Sequence, residues 1–179
     1  MTRILARVAA TAAAALMLAG CIISDHDVST ELQPQFPLTA KAYRDQDGEV
    51  TAFTVVGNAY LAREGDKPGN RVRFFKIPEY AGYVFQFEGT NTDAQTHKTA
   101  VLYGYFLADV TPTSFVLRDW EKEATDRIPA HVGPLVTVDN ENNLTLKDGR
   151  RDTLDVIREL ARANLPTKAN VYTAVDDAK

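Results

Sequence analysis

One stretch of this sequence gathers residue types that could perform acid–base chemistry. It reads RDWEKEATD and places Asp119 and Glu121 on either side of Trp120. Two carboxylates near an aromatic side chain would suit a glycosidase, which needs them about 5 Å or about 6.5–9.5 Å apart. The same letters also describe a solvated run of mixed charge that Trp120 anchors to the core. We favour this second interpretation and expect no enzymatic activity, and we keep Asp119 and Glu121 as the catalytic candidates of the alternative.

The three histidines do not form a metal-binding pattern. His26, His97 and His131 are far apart in the chain, and none is spaced four residues from another. Zinc sites usually have paired ligands at short spacing. His26 lies between two aspartates in a polar segment, which is typical of a solvated spacer. The sequence therefore predicts no metal and no cofactor.

The only cysteine follows a short apolar run at the start of the chain. Arg3 and Arg7 form a positive beginning, Val8–Leu18 carries no charge, and two small residues precede Cys21. This is the arrangement of a secretory signal peptide, and the run is too short to span a bilayer, which needs about 20 apolar residues. The final Leu18-Ala19-Gly20-Cys21 resembles the lipobox of bacterial lipoproteins.

That resemblance implies a chemical modification and a location. A diacylglyceryl group would be attached to the Cys21 sulfur, residues 1–20 would be removed as the signal peptide, and the new amine would be acylated. Such an anchor is strong because each buried methylene contributes about 0.8 kcal/mol. In bacterial lipoproteins an aspartate after the cysteine favours the inner membrane. Because that position is Ile22, we expect the outer membrane, with the protein facing the periplasm from the inner leaflet.

Composition limits the partners that the rest of the chain can have. Residues 1–20 contain two arginines and no acidic residue, so 159 residues remain with 18 basic and 24 acidic side chains and a formal charge of −6. An acidic surface argues against nucleic acid as a partner. There is no second long apolar run, and we expect no transmembrane helix. The membrane would be contacted through the lipid.

The order of elements predicts a mostly β fold. Residues 24–37 are polar and contain two prolines, which predicts that residues 21–37 form a flexible tether, and residues 38–179 would form a single domain. From Thr39 onward the apolar pattern has period two, and an apolar stripe at helical spacing predicts one amphipathic helix at about 153–165. We therefore expect an α+β, mostly β protein, with about eight antiparallel strands curled into a sandwich or open barrel and the C-terminal helix packed against it.

The longest apolar segment, TAVLYGYFLADV at Thr99–Val110, predicts a central strand. Gly104 lies within it among large residues. A glycine inside a strand often marks the close approach of another group, so we expect larger residues there to destabilise the domain.

One predicted hairpin suggests a docking patch. If residues 71–77 and 82–88 pair across a four-residue loop, opposed residues share a face. The pairs are Val72 with Phe87, Arg73 with Gln86, Phe74 with Phe85, and Phe75 with Val84. Phe75 and Val84 then lie on the polar face beside Arg73. They are either covered by the helix or a loop, or exposed as an apolar spot with a polar rim for another protein.

Together these features predict a lipid-anchored periplasmic protein of the cell envelope that binds or supports another component, such as another envelope protein. Two alternatives remain open at this point. One is an envelope hydrolase that acts on glycan or peptide. The other is an inhibitor-like domain that binds a lysozyme or protease.

Overall fold

The computed structural model describes residues 21–92, 97–119, 127–138, 143–146, 152–164 and 168–175. Within them lie twelve strands and one α-helix. The strands are β1 (Ile22–Ser24), β2 (Pro34–Gln35), β3 (Ala42–Arg44), β4 (Val50–Val56), β5 (Ala59–Glu64), β6 (Asn70–Phe75), β7 (Tyr83–Thr92), β8 (Thr99–Val110), β9 (Ser114–Asp119), β10 (Val136–Val138), β11 (Leu144–Leu146) and β12 (Lys168–Ala174). The helix, α1, is Thr153–Arg162.

Eight of these strands close into an antiparallel barrel. Their order around the barrel is β8–β7–β6–β5–β4–β3–β12–β9, and β9 returns to pair with Leu107–Val110 of β8. The predicted mostly β fold with one late helix is thereby confirmed, and of the two expected architectures the molecule adopts the barrel. Strand β8 has the bounds, Thr99–Val110, that its apolar pattern predicts.

Strand β8 changes partner along its length. Residues 107–110 pair with β9, whereas residues 103–105 pair with β1. Strand β1 then continues the sheet away from the barrel, because it pairs in parallel with β11, which pairs with β10. We call β1, β11 and β10 the flap. The sheet therefore forks at β8 into the barrel wall and the flap.

Aromatic rings fill the barrel interior. Strands alternate the direction of their side chains, so every second residue points inward. An eight-stranded barrel is just wide enough for side chains to fill it. The inward rings contact one another at centroid distances from 4.5 Å for Phe115 and Tyr172 to 6.3 Å for Phe85 and Phe106. The buried rings of this cluster are Tyr43, Phe53, Tyr60, Phe74, Phe85, Phe106, Phe115 and Tyr172.

A second core, which we call the outer core, lies outside the barrel, between its wall and α1. The apolar stripe of the helix forms one buried cluster with outward residues of β6, β7 and β8 and with the flap. The helix members are Leu154, Val156, Ile157, Leu160 and Ala161. Helix α1 ends at Arg162, three residues before the predicted end, and Asn164 follows with a left-handed φ of 50°. Asparagine tolerates this conformation, which terminates helices.

The predicted flexible tether at residues 21–37 is wrong, and the domain begins at Cys21 instead of at residue 38. Residues 22–24 form β1, Val28–Thr30 form a short 3-10 turn, and Pro34–Gln35 pair with β6. Val28 is completely buried in the outer core. The polar residues of this segment form hydrogen bonds to the barrel, in addition to the apolar contacts that its other residues make. We call residues 21–32 the strap; its first strand, β1, is also part of the flap.

Gly104 lies where its strand approaches the ring of Phe87, and the expectation of close packing is confirmed. The two residues are opposed in the β7–β8 pairing. A Cβ added at position 104 would overlap the Phe87 ring. That ring stacks on Phe106 at a centroid distance of 6.1 Å, so it has little freedom to move away.

Candidate functional site

Cys21 is built into the edge of the sheet. Its carbonyl accepts a 2.8 Å hydrogen bond from the Leu144 amide, and its amide donates at 3.1 Å to Oδ1 of Asn143. The Cys21 sulfur lies 3.3 Å from the same oxygen. The next residue, Ile22, pairs with Leu144 on one side and with Tyr105 on the other. The predicted lipidation site therefore has no free chain between it and the folded domain.

A polar cluster lies directly beneath the strap. Gln86 occupies its centre, because its Nε2 donates to Oδ1 of Asp27 at 2.8 Å and to the hydroxyl of Tyr105 at 3.0 Å. Arg73 donates from Nη1 to Oε1 of Gln86 at 3.1 Å. The Tyr105 hydroxyl in turn donates to the carbonyl of His26. Strands β6, β7 and β8 supply one side chain each, and Asp27 and His26 belong to the strap.

The charges of this cluster favour an ionised Asp27. Burial alone would raise the pKa of Asp27, but hydrogen bonds from Gln86 and Ser29 and the charge of Arg73 lower it below its usual value. Arg73 lies 3.8 Å from Asp27 through Nη1 and 3.9 Å from Glu88 through Nη2. A general acid needs a raised pKa, so Asp27 is unsuited to donate a proton in catalysis. This arrangement is better suited to holding the strap than to proton transfer.

Sequence reasoning missed this cluster, although one signal for it was present. The predicted pairs of β6 with β7, from Val72 with Phe87 to Phe75 with Val84, are all observed, so Arg73 does lie opposite Gln86. The sequence pattern places Arg73 and Gln86 on the polar, solvent-facing side of the hairpin, and this placement is wrong. Arg73 is 6% and Gln86 is 1% exposed, because the strap covers them. The available signal was that Arg73 and Gln86, which face each other, each stand between large apolar residues in the sequence.

The docking patch predicted at Phe75, Val84 and Arg73 is wrong for the same reason. Phe75 and Val84 are completely buried and belong to the outer core with the helix stripe. Of the two possibilities given above, coverage and exposure, the structure therefore shows coverage. The patch is therefore an interior contact.

A second polar group lies on the outer wall where β8 and β9 pair. The hydroxyl of Tyr80 donates to Oδ1 of Asp109 at 2.6 Å, and Nε of Arg118 donates to Oδ2 of Asp109 at 2.6 Å. Burial and the bond to Asp109 raise the pKa of Tyr80 to about 12. The phenol therefore keeps its proton near neutral pH, and the group links the 76–82 connection to the barrel wall.

Of the catalytic candidates, Asp119 is the last residue of β9, and Glu121 lies outside the described residues. His26 contacts Glu31 at 2.7 Å and His131 contacts Glu159 at 3.2 Å, both near the surface. Within the described parts of the chain, no three His, Cys, Asp or Glu side chains are placed to hold a metal ion.

Comparisons with models of protein families, with characterised proteins and with solved structures found no match to this chain. Among the described residues, no helix has the length and apolar character that crossing a membrane requires. Function is therefore inferred from the lipobox and from the position of Cys21 in the fold.

Proposed function

We propose that this protein is a lipid-anchored binding or structural protein of the bacterial envelope, held in the inner leaflet of the outer membrane and facing the periplasm. The observation that carries the proposal is the complete lipobox, Leu18 to Cys21, immediately before the first strand of the sheet. A signal that ends where the fold begins is consistent with cleavage before Cys21.

The hydrogen bonds around Cys21 are compatible with the mature lipoprotein. An acylated amine keeps one N–H, which can donate to Oδ1 of Asn143 as the peptide N–H of the precursor does. The carbonyl bond to Leu144 is unaffected by either modification. Attachment of the diacylglyceryl group replaces the proton of the thiol, which is a weak donor, with a glyceryl carbon. The Cys21 side chain is only 5% exposed, so it has to turn outward to carry this group.

The filled barrel supports a role that uses the outside of the protein. Buried rings occupy the interior, so small ligands would have to displace core side chains to enter it. The polar cluster under the strap is covered and largely occupied with its own hydrogen bonds, although the buried Nε of Arg73 has no partner. We therefore place the contact with another envelope component on the exposed surface.

The assignment to the outer membrane depends on the identity of Ile22. Exchanging this residue for aspartate is the obvious test of sorting, yet Ile22 is only 2% exposed in the outer core. A buried charge is costly, so such a variant would be destabilised as well as missorted. Sorting is better tested by fractionating the unaltered protein on a density gradient.

Cys21→Ser tests the anchor. We expect this variant to carry no lipid and to keep residues 1–20, which mass spectrometry would show. In detergent partitioning it should no longer separate with the triacylated protein. Serine retains a hydrogen donor near Asn143, so the fold should survive and thermal unfolding should change little.

A matched control moves the thiol instead of removing it. The double variant Cys21→Ser with Ser24→Cys has one cysteine, but outside the lipobox, and it should also remain without lipid. Normal lipidation and cleavage in either variant would contradict the proposed anchor.

A further inference from the structure

We propose that the strap is a latch, which opens away from the barrel as a unit, frees the adjoining edge of the flap and lengthens the link between the lipid and the barrel. The lengthened link requires lipid on Cys21, so this part rests on the proposed anchor. Residues 22–32, once released, would span up to roughly 40 Å, at about 3.3–3.6 Å per residue. The docked strap keeps the barrel next to Cys21, because Ile22 is already paired in the sheet.

The strap has few apolar contacts for its length. Its fully buried apolar side chains are those of Cys21, Ile22 and Val28. Lipidation removes the first of these contacts, because the Cys21 side chain has to turn outward to carry the lipid. Strand β1 has only three residues. The strap also begins the proposed mature chain, so it can leave the barrel without opening any other connection. Segments with these properties are among the first to open in native proteins.

The polar cluster holds the strap through contacts that water can replace. Gln86 donates to Asp27 at 2.8 Å, but Arg73 lies 3.8 Å from Asp27 and 3.9 Å from Glu88, which are long ion pairs. The Nε of Arg73 is buried without a hydrogen-bond partner. An unpaired buried donor is costly, and water would satisfy it in the open state. The cluster therefore favours the docked strap by less than its number of contacts suggests.

Both surfaces of this contact have the composition of surfaces in water. Arg73, Gln86 and Glu88 are on the outward side of β6 and β7, a pattern that predicts exposure to solvent. The strap segment that covers them reads SDHDVSTE, from Ser24 to Glu31. Charged side chains are seldom fully buried in folded proteins. A contact that opens accounts for polar residues on both of its sides.

The strap also joins the flap to the barrel. Within the described part of the chain, β11 is connected to the barrel through β1 alone in the order of strands. The Leu144 amide donates to the Cys21 carbonyl at 2.8 Å. When the strap leaves, this amide loses its acceptor, while the Leu144 side chain can remain in the outer core with α1. Opening at the start of the fold is therefore detectable at Leu144, far along the chain.

Hydrogen exchange of the lipidated protein in detergent micelles, measured by NMR, tests the latch. The reporters are the Val28 amide, 3.4 Å from the Tyr105 hydroxyl, and the Leu144 amide. We expect these two amides to have equal protection factors, lower than those of the amides in the β7–β8 pairing of the barrel. Asp27→Asn should lower both by about tenfold, because hydrogen bonds to charged groups are stronger than neutral ones.

Asp109→Asn is the matched control for the loss of a carboxylate. Asp109 accepts two side-chain hydrogen bonds on the outside of the barrel, from Tyr80 and Arg118, and none from the strap. The protection of Val28 and Leu144 should therefore be the same in Asp109→Asn as in the parent.

A disulfide that holds the strap closed is the second control. Ser24 and Tyr103 are opposed in the pairing of β1 with β8, at a separation that a disulfide can bridge. In the lipidated protein the Cys21 sulfur is a thioether, so the double variant Ser24→Cys with Tyr103→Cys has two thiols only. Oxidation should slow exchange at both reporters, and reduction should reverse this effect.

The outcomes separate the latch from the anchor. Equal protection of Val28, Leu144 and the barrel amides would show that the strap opens only with the whole domain, which would overturn the latch. Rapid exchange at Val28 alone would overturn the release of the flap. Mass spectrometry of the same sample tests the anchor, since protein without lipid would overturn the lengthened link and the proposed function together. Joint exchange of both reporters that depends on Asp27, in protein that carries lipid, supports the proposal.

Discussion

Replacing Gly104 with alanine adds a single carbon at the closest approach in the barrel wall. That carbon would overlap the ring of Phe87, which stacks on Phe106. Moving the ring costs about 1–3 kcal/mol in overpacking and about 0.5–1.5 kcal/mol in lost ring contact. Alanine in place of glycine restricts the unfolded chain and returns about 0.4–1 kcal/mol. We expect a net loss of about 0.5–4 kcal/mol in the free energy of unfolding.

Urea denaturation at neutral pH gives this free energy, and thermal unfolding should show a fall of about 2–4 °C for each kcal/mol in a domain of this size. Gly89→Ala is the matched control. It lies on β7, the partner of β8, and a Cβ there would have its nearest neighbour at 3.8 Å, an ordinary contact. We expect Gly89→Ala to change stability by less than Gly104→Ala.

A double-mutant cycle tests the stated cause. In a Phe87→Ala background the ring is absent, so Gly104→Ala should no longer destabilise, and the coupling between the two sites should be about 0.5–3 kcal/mol. Additive effects of Gly104→Ala and Phe87→Ala would refute the reasoning, because the cost would then arise from something other than the ring.

Two further predictions concern the strap and the outer core. Asp27 has a lowered pKa in the folded protein, so its contribution to stability is present above its unfolded pKa of about 3.9 and is lost as the pH falls through the lower, folded value. Asp27→Asn should therefore destabilise the protein at pH 7 and differ little in stability from the parent near pH 2. Urea denaturation midpoints measured across the pH range test this. A difference in midpoint that stays constant with pH would contradict the role of the carboxylate charge. Phe75→Asp places a charge in the outer core and should abolish cooperative unfolding in circular dichroism, whereas Val171→Asp, at an exposed position, should not. A folded Phe75→Asp protein would show that this position is not buried.

The local patterns of the sequence predicted much of the barrel wall. Alternation of apolar and polar residues fixes which face of a strand is buried, and a slip by one residue reverses both faces. That is why the pairing of β6 with β7 could be derived from side chains alone. The bounds of β8 followed from a run of β-branched and aromatic residues that ends shortly before Pro112.

The strap could not be predicted by the same reasoning. Strand β1 has three residues, too few for a periodicity, and its partners lie far away at Tyr105 and Leu144. Polar residues near Asp27 are typical of a solvated spacer, but here a buried cluster on three other strands satisfies them. The candidate site therefore depended on long-range pairing that composition does not encode.

The position of β12 has a consequence for how the protein is made. This strand lies between β3 and β9, and it is the last of the described strands to be synthesised. Until it is in place, β3 and β9 each present an unpaired edge, and exposed edges recruit other chains. Contacts between such distant parts of a chain also form slowly, since the loop entropy is lost before the contacts repay it. The polypeptide must therefore be protected until β12 is in place, and a product truncated before β12 would be an open sheet, prone to aggregate and to be degraded.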